Sequence, residues 1–154
     1  MARRDFKLPC LDLPFSTQDL TRLYRFALLL TGDETVAQQV LYDACADCAA
    51  RVNSYRNEQS QMACMMGTLR QKAKAATAAA PAEGGRSIAR AIAALPEEER
   101  ASLAGLYTGL LPARELAEAL KISLEDLGRF LKSARERLSR DGLELGEPTL
   151  ESAL

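Results

Sequence analysis

The stretch ELAEALKISLEDLGRFLKSARERL, Glu115 to Leu138, decides how the C-terminal half of this chain folds. Apolar residues recur at helical spacing on both sides of the pair Lys121-Ile122. The spacing Ser123-x-x-Asp126 matches the capping box with which many helices begin. The stretch therefore predicts two helices joined by a tight turn. The inward stripe of the second helix is expected to hold Leu127, Leu131, Ala134 and Leu138.

Upstream, the same periodicity predicts three longer helices. The first begins at the capping box Ser16-x-x-Asp19 and ends at Gly32. Asp33 is placed to cap the second helix, and Asn53-Ser54 interrupts the pattern before the third. The second helix has the clearest apolar stripe, made of Val36, Val40, Leu41, Ala44, Cys45, Cys48, Ala49 and Val52. The stripe of the third helix is made of Met62, Met65, Met66, Leu69 and Ala73.

Composition places a boundary between two helical units. The stretch AAAPAEGGRS, Ala78 to Ser87, contains Pro81 and Gly84-Gly85 and has no large apolar residue to bury, which is typical of a linker. After it, Pro96 followed by three glutamates suits the first turn of a helix. We expect an all-α chain with a helical unit at 1–77, a linker at 78–87, a second unit at 88–140 and a flexible tail at 141–154.

The overall composition favours helices and limits how the chain binds its partners. Aromatic residues make up 5% of the 154 residues, and Ala and Leu dominate where a β protein would need β-branched and aromatic residues. Lys and Arg number 20 against 21 acids, so attraction to nucleic acid has to come from local clusters. No apolar run has the length of a membrane span or the form of a signal peptide. We expect a cytoplasmic protein that does not insert into membranes.

Four cysteines and no histidine raise the question of a metal site. Cys45-x-x-Cys48 has a spacing found in zinc and redox sites, but both thiols lie on the apolar stripe of the second helix, where Cys is a common small core residue. A four-thiolate site would also need Cys10 and Cys64, which do not form a second Cys-x-x-Cys pair. We expect core thiols, no metal and no other cofactor.

The methionines of the third helix are expected in the core, with a soft docking surface as the alternative. They are Met62, Met65 and Met66. The sequence contains no nucleophile with a partnering base, no phosphate-binding loop and no convincing carboxylate pair. We therefore do not expect an enzyme.

Two segments of the sequence carry a family resemblance: LPEEER before the helix–turn–helix, and LYRFALLLTGDETVAQQVL in the first two helices. Both resemble the extracytoplasmic-function family of RNA polymerase sigma factors. The helix–turn–helix preceded by LPEEER, Leu95 to Arg100, resembles the C-terminal promoter-binding domain of that family. The segment LYRFALLLTGDETVAQQVL, Leu23 to Leu41, resembles the start of its region-two domain, with a leucine-rich helix, a TGD turn and an Ala-led second helix. The two matches come in the family's order and together span roughly Thr17 to Leu138.

The resemblance implies a function for each unit. The first would bind the clamp helices of core RNA polymerase and melt the −10 promoter element, and the second would place its recognition helix in the major groove at the −35 element. Core-polymerase contacts are expected from Gln38, Gln39, Leu41, Tyr42 and Asp43. DNA contacts are expected from Arg114, Arg129, Lys132, Ser133 and Arg135, with Arg129, Lys132 and Ser133 on the face opposite the apolar stripe. An anti-sigma factor is a further expected partner.

Several contact positions depart from the family's pattern. Gln38, Gln39 and Tyr42 stand where an acidic pair and then a Gln are usual, and only Asp43 is kept. In the third helix, Cys64 and Gln71 replace a Trp and an Asn that help to capture unpaired bases. In the recognition helix, cations usual in the family are replaced by Gly128, Phe130 and Ser133.

These departures leave three functional hypotheses. The leading one is a divergent sigma factor that directs promoter-specific transcription initiation. The second is a sigma-shaped decoy that binds an anti-sigma factor without initiating transcription. The third is a helix–turn–helix regulator that binds DNA without polymerase.

Overall fold

The computed structural model describes residues 13–79 and 88–140, and all the regular structure in these residues is helical. The seven helices are α1 Thr17–Thr31, α2 Glu34–Ser54, α3 Glu58–Ala79, α4 Ile88–Ala93, α5 Glu97–Thr108, α6 Ala113–Leu120 and α7 Leu124–Arg140. The prediction of an all-α chain is confirmed. The third helix continues to Ala79, while the rest of the expected linker, the expected tail and Cys10 lie outside the described residues.

Local sequence signals set the corner between α1 and α2. At the start of α1 the Ser16 hydroxyl accepts a hydrogen bond from the Asp19 amide at 3.1 Å, and the Asp19 carboxylate accepts one from the Ser16 amide at 3.4 Å. Gly32 ends α1 in the left-handed conformation, with φ of 74°. The Asp33 carboxylate then accepts from the Val36 amide at 3.0 Å and caps α2. All three predicted caps are confirmed.

Helices α1, α2 and α3 pack around a core of fully buried side chains. Phe26 and Leu23 of α1 are inaccessible to solvent, and burial of such side chains contributes about 1.5–3 kcal/mol each to folding. Cys45 and Cys48 are also inaccessible, with the Cys48 sulfur 3.2 Å from the Met65 sulfur across the α2–α3 contact. The predicted core positions of these cysteines and of Met62, Met65 and Met66 are confirmed.

The predicted helix–turn–helix is formed by α6 and α7. Lys121 ends α6 in the left-handed conformation, with φ of 60°, and the Ile122 amide donates to the Ala117 carbonyl at 3.0 Å. The Ser123 hydroxyl accepts from the Asp126 amide at 3.0 Å and so caps α7. At α5, Pro96 occupies the N-cap position, one residue before the first turn in which the sequence pattern placed it.

The helices before and after residues 80–87 share one hydrophobic core. Buried residues of α1, α2 and α3 form a single cluster with buried residues of α5, α6 and α7. A second cluster joins α4, α5 and α7, and Leu29 of α1 packs against it. Helix α1 contacts both α4 and α5, and α3 contacts α6. The first three helices, the N-terminal half, are thus packed directly on the last four, the C-terminal half.

Arg70 of α3 makes a charged contact across this packing. Its guanidinium donates two hydrogen bonds to the Glu97 carboxylate of α5, at 2.7 Å and 2.6 Å. A third goes to the Leu120 carbonyl at the end of α6, at 3.1 Å. Burial by itself would raise the pKa of Glu97, but the hydrogen bonds and charge of Arg70, with smaller contributions from Lys74 and Arg100, hold that pKa below its usual value. Arg70 therefore joins three helices.

Gly105 is closely packed and Gly128 is not, so their substitution by alanine should have opposite effects on stability. A Cβ at Gly105 would lie 2.5 Å from a Leu116 methyl carbon, and Leu116 is fully buried, so Gly105→Ala should destabilise the fold by about 1–3 kcal/mol. A Cβ at Gly128 would meet no atom within 4 Å, so Gly128→Ala should stabilise α7 by about 0.5–1 kcal/mol. Urea unfolding measures both. Equal stabilities of the two variants would contradict the close α5–α6 contact.

Candidate nucleic-acid interface

The exposed side of α7 carries the two cations expected to contact DNA. Leu127, Ala134 and Leu138 are buried, as the predicted stripe requires, while Arg129 and Lys132 are exposed. Beside these cations, the Leu124 side chain is 51% exposed. A Cβ atom added at Gly128 would have no other atom within 4 Å. The face therefore combines two cations, an exposed apolar side chain at the helix start and an accessible stretch of backbone. We call Leu124, Gly128, Arg129 and Lys132 the α7 face.

Arg129 is held by its neighbours on the same helix. Its guanidinium forms an ion pair with Asp126 and lies 5.7 Å from the centroid of the Phe130 ring. Its side chain is nevertheless 71% exposed, and ion pairs so open to solvent contribute little to stability. A phosphate or a guanine edge can therefore replace Asp126 as the partner of Arg129 at small cost.

Ser133 lies on the flank of α7 that packs against α5. The prediction that it shares the exposed face with Arg129 and Lys132 is therefore wrong. Its hydroxyl donates to Oε2 of Glu99 on α5 at 3.0 Å. Arg137 donates to the same oxygen at 3.2 Å, and its Nε lies 3.0 Å from Oε1. The Glu99 side chain is only 8% exposed, so this cluster fixes one flank of α7 against α5. Spacing along α7 alone could not show which flank α5 covers.

The other two residues expected at DNA lie in different settings. Arg114 is exposed near the start of α6. Arg135 is half-buried, and its Nε is enclosed without a hydrogen-bond partner among the described residues. Burial raises the pKa of Tyr107, and the charge of Arg135 opposes that rise, so the two side chains interact electrostatically. Arg135 thus belongs to the packed side of α7.

The residues expected to contact polymerase separate into a core residue and an exposed group. Leu41 is 1% exposed, so it cannot act as a surface contact. Gln38 is half-buried and Tyr42 is 42% exposed on the outer side of α2. Beside them, the Gln39 amide donates to the Asp43 carboxylate at 2.9 Å, and both residues are exposed. The apolar stripe of α2 already required Leu41 to face inward, because it shares that stripe with Cys45 and Cys48.

Arg70, which joins three helices, was not identified from the sequence. Arg70 lies on α3 near Gln71, one of the two positions at which the sigma-factor resemblance implies base capture. The available signal was the segment from Gln59 to Ala82, which contains Arg70, Lys72 and Lys74 and no acidic residue. The partner of Arg70 was not visible in the sequence, because Glu97 lies 27 residues further along the chain.

The described residues contain neither a cluster of metal ligands nor a membrane-spanning helix. Across residues 13–79 and 88–140, no three His, Cys, Asp or Glu side chains lie close enough together to hold a metal ion. In that part of the chain, no helix has the length and apolar character needed to cross a membrane.

Comparison with known proteins identifies no similar protein. No protein-family model matches the sequence, and neither the curated proteins nor the solved structures give a significant match. The resemblance to sigma factors therefore depends on the two segments quoted above.

The different settings of Leu41 and Tyr42 predict different consequences of substitution. Leu41→Ala should cost about 2–5 kcal/mol of unfolding free energy, because it leaves a cavity in the shared core. Tyr42→Ala should change stability by less than about 1 kcal/mol, because Tyr42 is substantially exposed. Chemical denaturation checks both values. A near-neutral Leu41→Ala would contradict the placement of Leu41 in the core.

Proposed function

We propose that this chain is a divergent sigma factor of the extracytoplasmic-function type, which joins core RNA polymerase through α2 and contacts promoter DNA through α7. The observation that carries the proposal is the helix–turn–helix of α6 and α7, whose second helix presents Arg129 and Lys132 to solvent. The sequence resemblance to region two in the N-terminal half supports the same assignment.

The α7 face has the chemistry needed for a major-groove contact. Arg129 and Lys132 supply the cations that bind phosphate or guanine, and the exposed Leu124 offers an apolar surface for a thymine methyl group. Gly128 costs the helix about 1 kcal/mol relative to Ala, and no packing within the described residues requires it. Close approach of the α7 backbone to DNA would account for a glycine at this position.

The polymerase contact is assigned to the outer side of α2. Gln38, Gln39, Tyr42 and Asp43 form a continuous polar and aromatic surface there, since residues three and four apart lie side by side on a helix. Tyr42 is the apolar centre of this surface, and aromatic residues often carry much of the binding energy at interfaces.

A second candidate function is supported by the acids of α7. Glu125 and Glu136 are exposed on the same helix as the two cations, and Asp126 pairs with Arg129. These carboxylates oppose binding to phosphate. A decoy that binds an anti-sigma factor would need the shape of the helices and not their affinity for DNA.

Titration of labelled protein against core RNA polymerase tests the proposed function directly. A conventional sigma factor of the family serves as competitor, and circular dichroism verifies that the protein is folded. The proposal expects saturable binding that the competitor displaces, because both proteins would occupy the clamp helices. It also expects Tyr42→Ala to weaken binding at least about tenfold. A folded protein that does not bind polymerase would favour the decoy.

The α7 face makes a separate prediction about salt. Replacing both Arg129 and Lys132 by Ala should weaken binding to a short DNA duplex and reduce the slope of log K against log salt by about 2, because each phosphate contact contributes about 1. The control replaces Arg25 and Arg56, two exposed cations of the N-terminal half, by Ala. Equal slopes for the two double variants would remove α7 from the DNA interface.

A further inference from the structure

A cavity of about 230 Å³ lies between the end of α4 and the last turn of α7. Two arginines of α7, Arg137 and Arg140, form one wall of it. The rest of the wall is formed by small and apolar residues, which are Ala91, Ala94, Leu95 and Pro96. Among the described residues no carboxylate lines the cavity, so an anion is the ligand that its charge favours. We call these six residues the arginine cavity.

Arg137 is held in place by a buried acid. Its Nε lies 3.0 Å from Oε1 of Glu99 and donates a hydrogen bond to Oε2 at 3.2 Å. The Glu99 side chain is 8% exposed, whereas the Arg137 side chain is 48% exposed. Within residues 13–79 and 88–140 the two terminal nitrogens of Arg137 make no hydrogen bond to the protein. They can therefore bind a ligand while Nε stays on Glu99, which fixes the orientation of the guanidinium in advance.

Arg140 supplies a second guanidinium one helical turn further on. Residues three apart lie side by side on a helix, and like charges placed in this way repel each other. Arg140 is exposed, and it forms no ion pair with a carboxylate of the described residues. An anion between the two guanidiniums removes their repulsion. Because each guanidinium can bind phosphate oxygens through two parallel hydrogen bonds, the pair is suited to two linked phosphate groups.

The acids at the start of α5 leave this positive charge in place. Glu97 is paired with Arg70 of α3, and Glu99 is paired with Arg137. Glu98, the third acid of that turn, is exposed and does not line the cavity. Two of the three carboxylates are thus neutralised by cations of other helices, so the cavity keeps the charge of the second arginine.

The backbone beside the cavity also favours an anion. Pro96 is the N-cap residue of α5 and makes no side-chain hydrogen bond to the first turn of that helix. The amides of a first turn carry the positive end of the helix dipole, and here no side-chain cap satisfies them. The positive end of α5 therefore adds to the charge of the two guanidiniums.

We propose that the arginine cavity binds the diphosphate group of a small molecule, either inorganic pyrophosphate or a nucleoside diphosphate. Arg137 and Arg140 bind its phosphate oxygens. Sites for whole drug-sized ligands measure about 300–1,000 Å³, so the smaller arginine cavity holds the diphosphate and leaves the rest of a nucleotide in solvent. The site goes beyond the proposed function, because neither polymerase nor promoter DNA is needed to occupy it.

The arginine cavity is distinct from the α7 face. Arg129 and Arg137 are eight residues apart, which is about 12 Å along the helix. Recognition helices contact bases mainly through their N-terminal residues, whereas the cavity lies at the C-terminal end of α7. A diphosphate in the cavity and DNA on the α7 face therefore occupy different ends of the helix.

Isothermal titration calorimetry of the full chain at constant ionic strength tests the proposal. One pyrophosphate per chain should bind at least about tenfold more tightly than inorganic phosphate, because two guanidiniums bind two linked groups. Adenosine diphosphate should compete with pyrophosphate, and the tighter of the two identifies the source of the diphosphate. A folded chain that binds neither, or that binds phosphate as tightly as pyrophosphate, would overturn the proposal.

Two pairs of matched variants locate the site. Arg140→Gln should weaken pyrophosphate binding at least about tenfold, whereas Arg25→Gln, at an exposed position of α1, should weaken it less than about twofold. Ala94→Leu should also weaken binding at least about tenfold by filling the cavity. Ala46→Leu adds the same bulk at an exposed position of α2 and should have no effect. Equal losses within either pair would overturn the proposal.

Competition with DNA separates the cavity from the proposed function. A short DNA duplex should change the affinity for pyrophosphate less than about twofold, because recognition helices use their N-terminal residues. Displacement of pyrophosphate by the duplex would make the cavity part of the DNA interface and would overturn the proposal. A chain that binds pyrophosphate through Arg140 but binds no polymerase would retain the site and lose the sigma assignment.

Discussion

The contact of Arg70 with Glu97 and with the Leu120 carbonyl fixes how the two halves of this chain meet. A single guanidinium on α3 holds the start of α5 and the end of α6. Because α6 leads through a three-residue turn into α7, this contact also orients the helix that presents Arg129 and Lys132. The apolar core supplies most of the stabilising energy around it, whereas the directional hydrogen bonds select one arrangement.

The shared core and the Arg70 contact differ in how readily another molecule could replace the groups that they bring together. Residues such as Phe26 and Leu41 gain their stability by leaving water, and no soluble partner offers them an equivalent environment at a single site. A carboxylate on a guanidinium can be replaced by a phosphate of similar geometry. A partly buried ion pair stabilises the fold only modestly, because desolvation offsets its attraction, whereas removal of either partner leaves the other charge uncompensated.

Local signals predicted much of the fold, and tertiary contacts account for what was missed. The caps at Ser16, Gly32, Asp33 and Ser123 depend on neighbouring residues, so the sequence was sufficient to identify them. The apolar stripe of α2 also placed Leu41 in the core, although the family resemblance had named it as a contact. Periodicity alone could not assign Ser133, because its position depends on which flank of α7 meets Glu99.

Nuclear magnetic resonance of the Arg70 side chain would test this account most directly. The Nε–H group of Arg70 donates to Glu97, so its signal reports the partner of that atom, and Arg70→Lys assigns it. The account predicts that Glu97→Ala moves this signal and that Glu98→Ala, a change at the exposed neighbouring position, leaves it in place. A signal that stays fixed in folded Glu97→Ala would show that Arg70 does not hold Glu97, and would contradict the account.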